Sequence, residues 1–401
     1  MKKRKAFLFT LKTDFDLERQ MSRYAGSCRF VWNRALALEK DRLDAGGKIL
    51  RYSELCQTVV AWKREPETAW LCDAPSHTLQ QTLRNLDRAL MEAFDKKNPK
   101  RFPKFKKKGV HDSFRFPDPK QFCLDQANGR IKLPKLGWVP YRKSRDVEGD
   151  VKQVTVSRRG NRWRISVLAE QIVPEPRPAL ASEIGIDMGV RAFAALSDGT
   201  LIAPLNSFRA LEKKLAKAQR CLARKVKFSA SWRKQTARIA ALHERIANAR
   251  GDFLHKLSTD VCKNHALIVI EDLRVSHMSR SAKGTTEAPG RNVRAKSGLN
   301  KAILDQGWGE FRRQLEYKTL WAGGMLVAVR PQYTSQSCPA CGLVDAGNRH
   351  KTQFRCLGCG HSADADVNAA INILAAGHAV MACGAVKAQA TAAKQEPLHE
   401  A

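Results

Sequence analysis

Residues 183–202 have the sequence EIGIDMGVRAFAALSDGTLI, and this stretch decides the fold expected for the second half of the chain. The apolar run Ile184–Ile186 ends in Asp187, and Gly189 follows closely. A short apolar run bounded by an acidic residue and a glycine predicts a buried strand followed by a turn. The proline-rich segment VPEPRPALAS at 173–182 comes before it. We therefore predict a linker there and a new domain after it.

Two further acidic residues stand at the ends of predicted elements. Glu271 closes the apolar strand in HALIVIEDL (265–273), and Asp366 begins the helix in DADVNAAINILAAG (364–377). Buried strands of a sheet flanked by helices end at a common edge, so Asp187, Glu271 and Asp366 can converge. Converging carboxylates repel one another, and Mg²⁺ or Mn²⁺, which prefer oxygen ligands, relieve that repulsion. The three acids therefore predict a metal site for phosphodiester hydrolysis.

Each acid alone also fits a plainer role. A single Asp at a strand end or a helix start is more often a turn residue or a cap than a metal ligand. Asp272 competes with Glu271, and Asp364 competes with Asp366. At the helix start, Asp364 could be the cap and Asp366 the inward ligand.

Four of the eleven cysteines form two CxxC pairs, in SCPACG and RCLGCG. The remaining seven are scattered singly, which is typical of a reducing compartment rather than of a disulfide framework. Four thiolates at this spacing can surround one Zn²⁺ and leave no open coordination position, which predicts a structural zinc site. A redox CxxC pair is the weaker alternative. The predicted zinc ligands are Cys338, Cys341, Cys356 and Cys359.

The chain of 401 residues carries a formal net charge of +32, which makes nucleic acid the first partner to consider. The basic residues cluster at 1–5 (MKKRK), 96–108 (KKNPKRFPKFKKK) and 209–256. A membrane surface, an acidic protein or a merely solvated surface could also explain such charge. The N-terminal apolar run is too short for a signal peptide, and we expect no membrane-spanning stretch. A cytosolic protein is therefore expected.

Hydrophobic periodicity predicts a multidomain α/β chain. A strand is expected at 4–12 and β structure at 113–172, with helices between them. In the second half we expect two basic helices within 206–262, broken near 228–231, and a mobile segment at 276–300. The other predicted elements are helices at 15–45, 52–64, 76–95, 301–321 and 364–377, and a strand at 325–331.

Several motifs together resemble those of TnpB, the protein encoded beside insertion-sequence transposons. They are, in order, GSCRFVWNRALA, LQQTLRNLDRAL, RFPKFKKK, GIDMGVRAFAAL, IVIEDL, GWGEFRRQLEYKTLW, TSQSCPACG with its second CxxC, and DADVNAAINI. The resemblance covers about residues 1–377.

This resemblance implies a β-barrel wedge domain interrupted by a helical recognition domain, followed by a RuvC nuclease domain of RNase H-like fold with an inserted four-cysteine zinc ribbon. The implied boundaries are 1–13 and 113–181 for the wedge, 14–112 for the recognition domain, 182–332 and 364–378 for RuvC with a basic helical insertion at about 206–262, 333–363 for the zinc ribbon, and 379–401 for a disordered tail.

The resemblance also implies an RNA-guided DNA endonuclease, acting as a monomeric protein in a ribonucleoprotein in a bacterial or archaeal cytosol. A noncoding guide RNA made from the transposon end pairs with double-stranded DNA beside a short transposon-adjacent motif. The catalytic acids fall on Asp187, Glu271 and Asp366, with Mg²⁺ or Mn²⁺ as cofactor and one structural Zn²⁺, and neither a membrane nor a small-molecule substrate is expected. The implied nucleic-acid contacts are Tyr52 and Gln80, with Ser76 and His77 nearby, and these last two depart from the lysine and aromatic pattern of the family. Independently of the resemblance, a heteroduplex needs a basic channel, which the FPKFKKK segment with Lys104, Lys106 and Lys107 could line.

Three other functions compete with this one. A nuclease-inactive, RNA-guided repressor would have lost the acids, and all three are present. A compact type V CRISPR effector would share the chemistry but take its RNA from a repeat array. A strand-joining transposase is disfavoured because the sequence has neither a His pair with a Tyr nucleophile of the HUH type nor a serine-recombinase pattern.

Overall fold

The computed structural model describes residues 1–97, 100–160, 162–174, 176, 178, 180–330 and 333–383. The chain forms two compact units, one from Lys2–Val173 and one from the residues that follow Val173. The division falls at the start of the proline-rich segment 173–182.

In its described residues, the first unit contains a seven-stranded antiparallel sheet and three α-helices. The sheet order is β2-β6-β7-β1-β5-β4-β3. Among the described residues no pairing joins the outer strands β2 and β3, so the β-barrel stays a prediction. The elements are β1 (Lys2–Leu11), α1 (Phe15–Asp44), α2 (Tyr52–Arg64), α3 (Ser76–Ala93), β2 (Ser113–Phe116), β3 (Cys123–Asp125), β4 (Arg130–Leu133), β5 (Gly137–Arg142), β6 (Asp150–Arg159) and β7 (Arg162–Ile172).

The helices of this unit begin and pack as their sequences predict. Asp14 caps α1 by accepting a hydrogen bond from the backbone NH of Leu17. Helix α3 buries one face completely, with leucines three and four residues apart. The predicted helices at 15–45, 52–64 and 76–95 therefore agree with the structure to within two residues. The buried leucines of α3 are Leu79, Leu83, Leu86 and Leu90.

The second unit contains a five-stranded sheet of order β10-β9-β8-β11-β12, in which β8, β11 and β12 are parallel. A separate three-stranded sheet, β13-β14-β15, lies in the cysteine-rich segment. The elements are β8 (Glu183–Asp187), β9 (Ala194–Leu196), β10 (Leu201–Ile202), α4 (Ser207–Ala223), α5 (Ala230–Asn264), β11 (Leu267–Glu271), α6 (Val275–Met278), α7 (Val293–Gln306), α8 (Trp308–Ala322), β12 (Met325–Val329), β13 (Arg349–His350), β14 (Gln353–Arg355), β15 (Ser362–Asp364) and α9 (Ala365–Ala382).

Helix α9 packs directly on the parallel strands because two glycines remove the side chains that would keep it away. A Cβ on Gly185 in β8 would lie 2.1 Å from the carbonyl oxygen of Ala370 in α9. A Cβ on Gly377 would lie 2.5 Å from a methyl group of Val269 in β11. By length and composition alone α9 could span a membrane, contrary to our expectation of no such stretch. In the fold it lies against β8, β11 and β12.

Three sequence-based expectations for this unit were wrong in part. The segment predicted as mobile, 276–300, includes the first turns of α7, and Asn300 donates to the carbonyls of Ser279 and Arg280. The helix predicted at 301–321 is two helices, because Gly307 adopts a left-handed φ of 78° between them. The final helix continues to Ala382, so the predicted tail begins too early, and residues 384–401 lie outside the described residues.

Candidate functional site

Asp187 and Glu271 lie side by side at one edge of the sheet. Strands β8 and β11 are parallel neighbours, with Ile186 level with Ile270. The next residue of each strand is the acid, and adjacent strands are about 4.8 Å apart. Asp187 is half-buried, and Glu271 is only 8% exposed. The parallel register therefore brings together two acids that are far apart in sequence.

Asp366 reaches the same edge from α9. Side chains two residues apart on a strand face the same side, so Asp187 shares the face on which Gly185 meets α9. That contact is made by Ala370, and Asp366 lies one helical turn before it. The close approach of α9 to β8 thus sets the position of the third acid.

Asp364 and Asp366 have different roles at the start of α9. The Asp364 carboxylate accepts hydrogen bonds from the backbone NH groups of Asp366 and Val367, so Asp364 is the helix cap. Among the described residues, the Asp366 carboxylate caps no backbone NH group and accepts from two arginines: Arg349 donates to Oδ1 at 2.9 Å and Arg191 to Oδ2 at 3.3 Å. Arg191 also donates to Asp364 Oδ2 at 3.0 Å. Of the two competing residues, Asp364 is thus the one used for capping.

Glu271 and its neighbour Asp272 also differ. Asp272 forms an ion pair with Arg312, in which Asp272 Oδ1 lies 2.5 Å from a guanidinium nitrogen. The Glu271 carboxylate is buried and accepts a hydrogen bond from Thr334 Oγ1 at 2.9 Å. The buried member of the pair is therefore Glu271.

The electrostatics of these acids show that they act on one another. Burial and then the charges of Glu271 and Asp366 raise the pKa of Asp187 to about 7, against an opposing effect of Arg349. Burial also raises the pKa of Glu271, although the Thr334 hydroxyl opposes this rise. A carboxyl group whose pKa is raised by two neighbouring carboxylates lies in a pocket of negative potential, which a cation would stabilise.

Sequence reasoning missed three residues at this site: Arg191, Thr334 and Arg349. Arg191 follows β8 in the motif GIDMGVRAFAAL, and its spacing alone gave no signal. Thr334 and Arg349 belong to the cysteine-rich segment, which the sequence predicted only as a zinc module. Their contacts with the acids depend on how that segment folds against the strand ends, and no local pattern encodes this.

The four predicted zinc ligands form a compact cluster. Cys338 Sγ lies 3.6 Å from Cys359 Sγ, and Cys341 Sγ lies 3.5 Å from Cys356 Sγ. All four sulfur atoms lie within 4.8 Å of one another, as a tetrahedral metal site requires. The cluster could therefore hold one metal ion, and Zn²⁺ suits four thiolates.

The three acids differ from the cysteines in how they fit a metal. In the part of the chain that the structure describes, the carboxylates do not form so tight a cluster, and Asp366 is bonded to Arg191 and Arg349. Their oxygen atoms are nevertheless the ligands that Mg²⁺ prefers. Burial raises the pKa of Asp187 most, and the charges of Glu271 and Asp366 raise it further. The donor set therefore fits a hard divalent cation.

Four of the residues predicted to contact nucleic acid lie near the starts of α2 and α3. Ser76, His77 and Gln80 are in the first turns of α3, and all three are exposed. Tyr52 begins α2, and the guanidinium of Arg84, one turn after Gln80, lies 4.8 Å from its ring centroid. The four residues thus share one region of the first unit, and their contact with nucleic acid stays a prediction.

The three predicted lysines belong to an extended basic segment at 101–108 that is fastened along α1. Trp32 Nε1 donates to the Lys104 carbonyl, and Asn33 exchanges two hydrogen bonds with the backbone of Lys106. Lys104, Lys106 and Lys107 are all exposed, and the Lys106 ammonium also lies 3.9 Å from the Trp32 ring centroid. The segment therefore presents three lysines on a fixed backbone, of which Lys106 packs on Trp32.

Known proteins resemble this chain over nearly its full length. A protein of Escherichia coli strain K12 is 54% identical over 99% of this chain and 98% of its own, and its name is "Putative RNA-guided DNA endonuclease InsQ". The chain belongs to the TnpB family. Another TnpB relative, from Streptomyces pristinaespiralis, has the name "Putative RNA-guided DNA endonuclease" and is 34% identical over 95% of this chain and 91% of its own.

Family descriptions match three parts of this TnpB chain. OrfB_IS605, described as "Probable transposase", matches residues 164–282, and "Cas12f1-like, TNB domain" matches residues 308–373. A third, described as "Helix-turn-helix domain", matches residues 1–48. The structure has one strand and one long helix there, β1 and α1, so that description does not fit the fold of this segment.

A solved structure shares the fold of this TnpB chain. The structure titled "Cryo-EM structure of the Cas12f1-sgRNA-target DNA complex" has a TM-score of 0.53 and covers 89% of this chain and 82% of its own. The two sequences are 15% identical, so this likeness concerns the fold.

Proposed function

We propose that this chain is an RNA-guided DNA endonuclease that hydrolyses DNA at Asp187, Glu271 and Asp366. The observation that carries the proposal is the convergence of the parallel strands β8 and β11 and the start of α9 at one edge of the sheet. Its full-length relatives named as RNA-guided DNA endonucleases support the same activity.

The second unit would be the nuclease domain, of RNase H-like RuvC type. Its central strands β8, β11 and β12 are parallel, β9 and β10 extend them antiparallel, and α9 covers one face. Such a sheet presents acids at strand ends to a substrate that lies along its edge. The cysteine cluster between Glu271 and Asp366 would be a zinc ribbon with a structural role.

Bound Mg²⁺ or Mn²⁺ would activate a water molecule and stabilise the leaving 3′-oxygen of the phosphodiester. Asp187, Glu271 and Asp366 would hold these ions through their carboxylate oxygens. The parallel register fixes the spacing of the first two acids, and the packing of α9 on Gly185 fixes the third. Arg191 and Arg349 balance the charge of Asp366.

Recognition would belong to the RNA and to the basic surfaces of the protein. A guide RNA made from the transposon end would pair with the target strand of double-stranded DNA, so base pairing reads the sequence. The protein would contact phosphates, and the exposed Lys104 and Lys107 on their fixed segment suit that role. Tyr52, Ser76, His77 and Gln80 are candidates for reading the adjacent motif.

The test is to purify the protein from cells that carry its own locus and to sequence the RNA that copurifies. The ribonucleoprotein is then mixed with a supercoiled plasmid that carries a match to the guide and a randomised flanking segment, with Mg²⁺ present. We expect one predominant RNA that ends in transposon-flanking sequence, and Mg²⁺-dependent cleavage that selects a short flanking motif. RNA ending in repeat-array sequence would instead indicate a CRISPR effector.

The test variant is Asp187→Ala. Its matched control is Asp198→Ala, which alters an exposed aspartate in the turn after β9. Asp187→Ala should abolish cleavage and keep guide-dependent DNA binding, whereas Asp198→Ala should cleave like wild type. Cleavage by Asp187→Ala at the wild-type rate would overturn the proposed chemistry.

A further inference from the structure

Glu271 is held from outside its own sheet. Thr334, in the loop that leads to the first cysteine pair, donates its hydroxyl hydrogen to Glu271 Oε1 at 2.9 Å. We propose that Thr334 is a positioning residue that fixes the Glu271 carboxylate for metal binding. This inference rests on the proposed function and assigns a task there to a residue that lies outside the three acids.

The backbone that carries Thr334 is fixed in a conformation that needs support. Tyr333 has a left-handed φ of 61°, which costs energy for a residue with a side chain. Its carbonyl oxygen accepts hydrogen bonds from the backbone NH groups of Gln336 and Ser337 and from the Ser337 hydroxyl. The three hydrogen bonds to the Tyr333 carbonyl keep the backbone of Tyr333 in this conformation, and this fixes the orientation of the next residue, Thr334.

Helix α9 fastens this loop from the other side. Asn372 Nδ2 donates to the carbonyl oxygens of Thr334 and Ser337, both at 2.8 Å. The fully buried Asn368 donates to the Ser337 carbonyl at 3.0 Å. Asp366 stands in the first turn of the same helix. One helix therefore positions Asp366 directly and Glu271 through Thr334, and it links both to the loop before Cys338.

This arrangement suits the chemistry that the acids would perform. A glutamate side chain has three rotatable bonds, so a free Glu271 would lose conformational entropy when it binds a metal. A hydroxyl bond to Oε1 removes part of that freedom in advance and leaves Oε2 for a cation. Hydrogen bonds that orient a ligand in this way typically change metal affinity about 10- to 100-fold. The branched Cβ of Thr334 further restricts its own rotamer.

The experiment compares ribonucleoproteins that contain wild type, Thr334→Val or Thr334→Ser. Valine keeps the shape of threonine and removes the donor, whereas serine keeps the donor. One readout is the Mg²⁺ concentration for half-maximal plasmid cleavage. The second does not depend on DNA cleavage: Fe²⁺ with ascorbate and peroxide produces hydroxyl radicals that cut the polypeptide near a bound ion, and the fragments are measured against Fe²⁺ concentration.

We expect Thr334→Val to raise both half-maximal metal concentrations about tenfold, with a smaller effect on cleavage at saturating Mg²⁺. Thr334→Ser should stay within about threefold of wild type. Asn372→Ala, which keeps the hydroxyl and frees the loop, should shift both readouts in the same direction as Thr334→Val. If Thr334→Val loses its zinc, Asn372→Ala serves as the second variant that tests the inference.

Two results separate this inference from the proposed function. Unchanged metal dependence of Thr334→Val and Asn372→Ala, beside an inactive Asp187→Ala, would overturn only the role of Thr334. A shift in Thr334→Ser as large as that in Thr334→Val would overturn it too, because the hydroxyl would then be irrelevant. Full cleavage by Asp187→Ala would overturn the proposed function itself.

Discussion

Replacing Gly185 with alanine should separate α9 from β8 and remove Asp366 from the site. The added Cβ would lie 2.1 Å from the Ala370 carbonyl oxygen, whereas ordinary contact begins at 3.4 Å. It would also lie 2.9 Å from the backbone nitrogen and the Cβ of Leu374. The obstacles are mainly backbone, so the helix itself must move by about 1 Å. Overpacking of this kind costs about 1–3 kcal/mol or more.

Differential scanning fluorimetry and the plasmid cleavage assay measure the two consequences. For a unit of about 200 residues, 2 kcal/mol lowers the melting temperature by about 4–8 °C. A displacement of about 1 Å in a catalytic group can lower the cleavage rate about 100-fold. The control is Gly298→Ala, an exposed position in α7 where a Cβ meets nothing within 4 Å. It should leave cleavage unchanged. Wild-type melting and cleavage by Gly185→Ala would refute the packing of α9 on β8.

Three further predictions concern pH, zinc and salt. Because the pKa of Asp187 is raised to about 7 in the folded protein, its ionised form destabilises the fold, so stability from this group falls as pH rises from about 4 to 7. In EDTA, the melting temperature of Asp187→Asn should therefore exceed that of wild type only slightly at about pH 4 and most above about pH 7. An equal difference at both pH values would contradict the raised pKa. Mass spectrometry should find one zinc per chain, lost in Cys356→Ser and kept in Cys123→Ser, and zinc retained by Cys356→Ser would argue against the four-cysteine site. The slope of log K for RNA binding against the logarithm of the salt concentration should become shallower by about 1–2 when Lys104 and Lys107 are changed to alanine. An unaltered slope would show that neither lysine contacts phosphate.

Local sequence predicted the elements of the first unit well, because each helix there carries its own signals. Asp14 caps α1, and the leucines of α3 follow the helical period. The prediction was wrong where a single glycine decides between one continuous helix and two helices. Gly307 divides the helix predicted at 301–321 into α7 and α8, since its left-handed φ allows a turn that the apolar pattern on either side does not reveal.

The candidate site was predicted in its acids but not in their surroundings. Asp187, Glu271 and Asp366 stood out because each ends or begins a strongly apolar element. The sequence left Asp364 and Asp366 as competitors, with Asp364 as the possible cap, and the structure shows that Asp364 caps α9. Arg349 and Thr334 could not be found in this way. They reach Asp366 and Glu271 through tertiary contacts of the cysteine-rich segment, and these depend on packing rather than on spacing.

The central claim is that Asp187, Glu271 and Asp366 work as one unit. The most direct measurement is the rate of guide-dependent plasmid cleavage by the three single alanine variants and the triple variant, at saturating Mg²⁺ and with equal DNA binding. If the acids share the metal site, each single variant should lose cleavage almost as completely as the triple variant, because such effects are not additive. Substantial cleavage by any one single variant, with further losses that multiply in the triple variant, would contradict a common site.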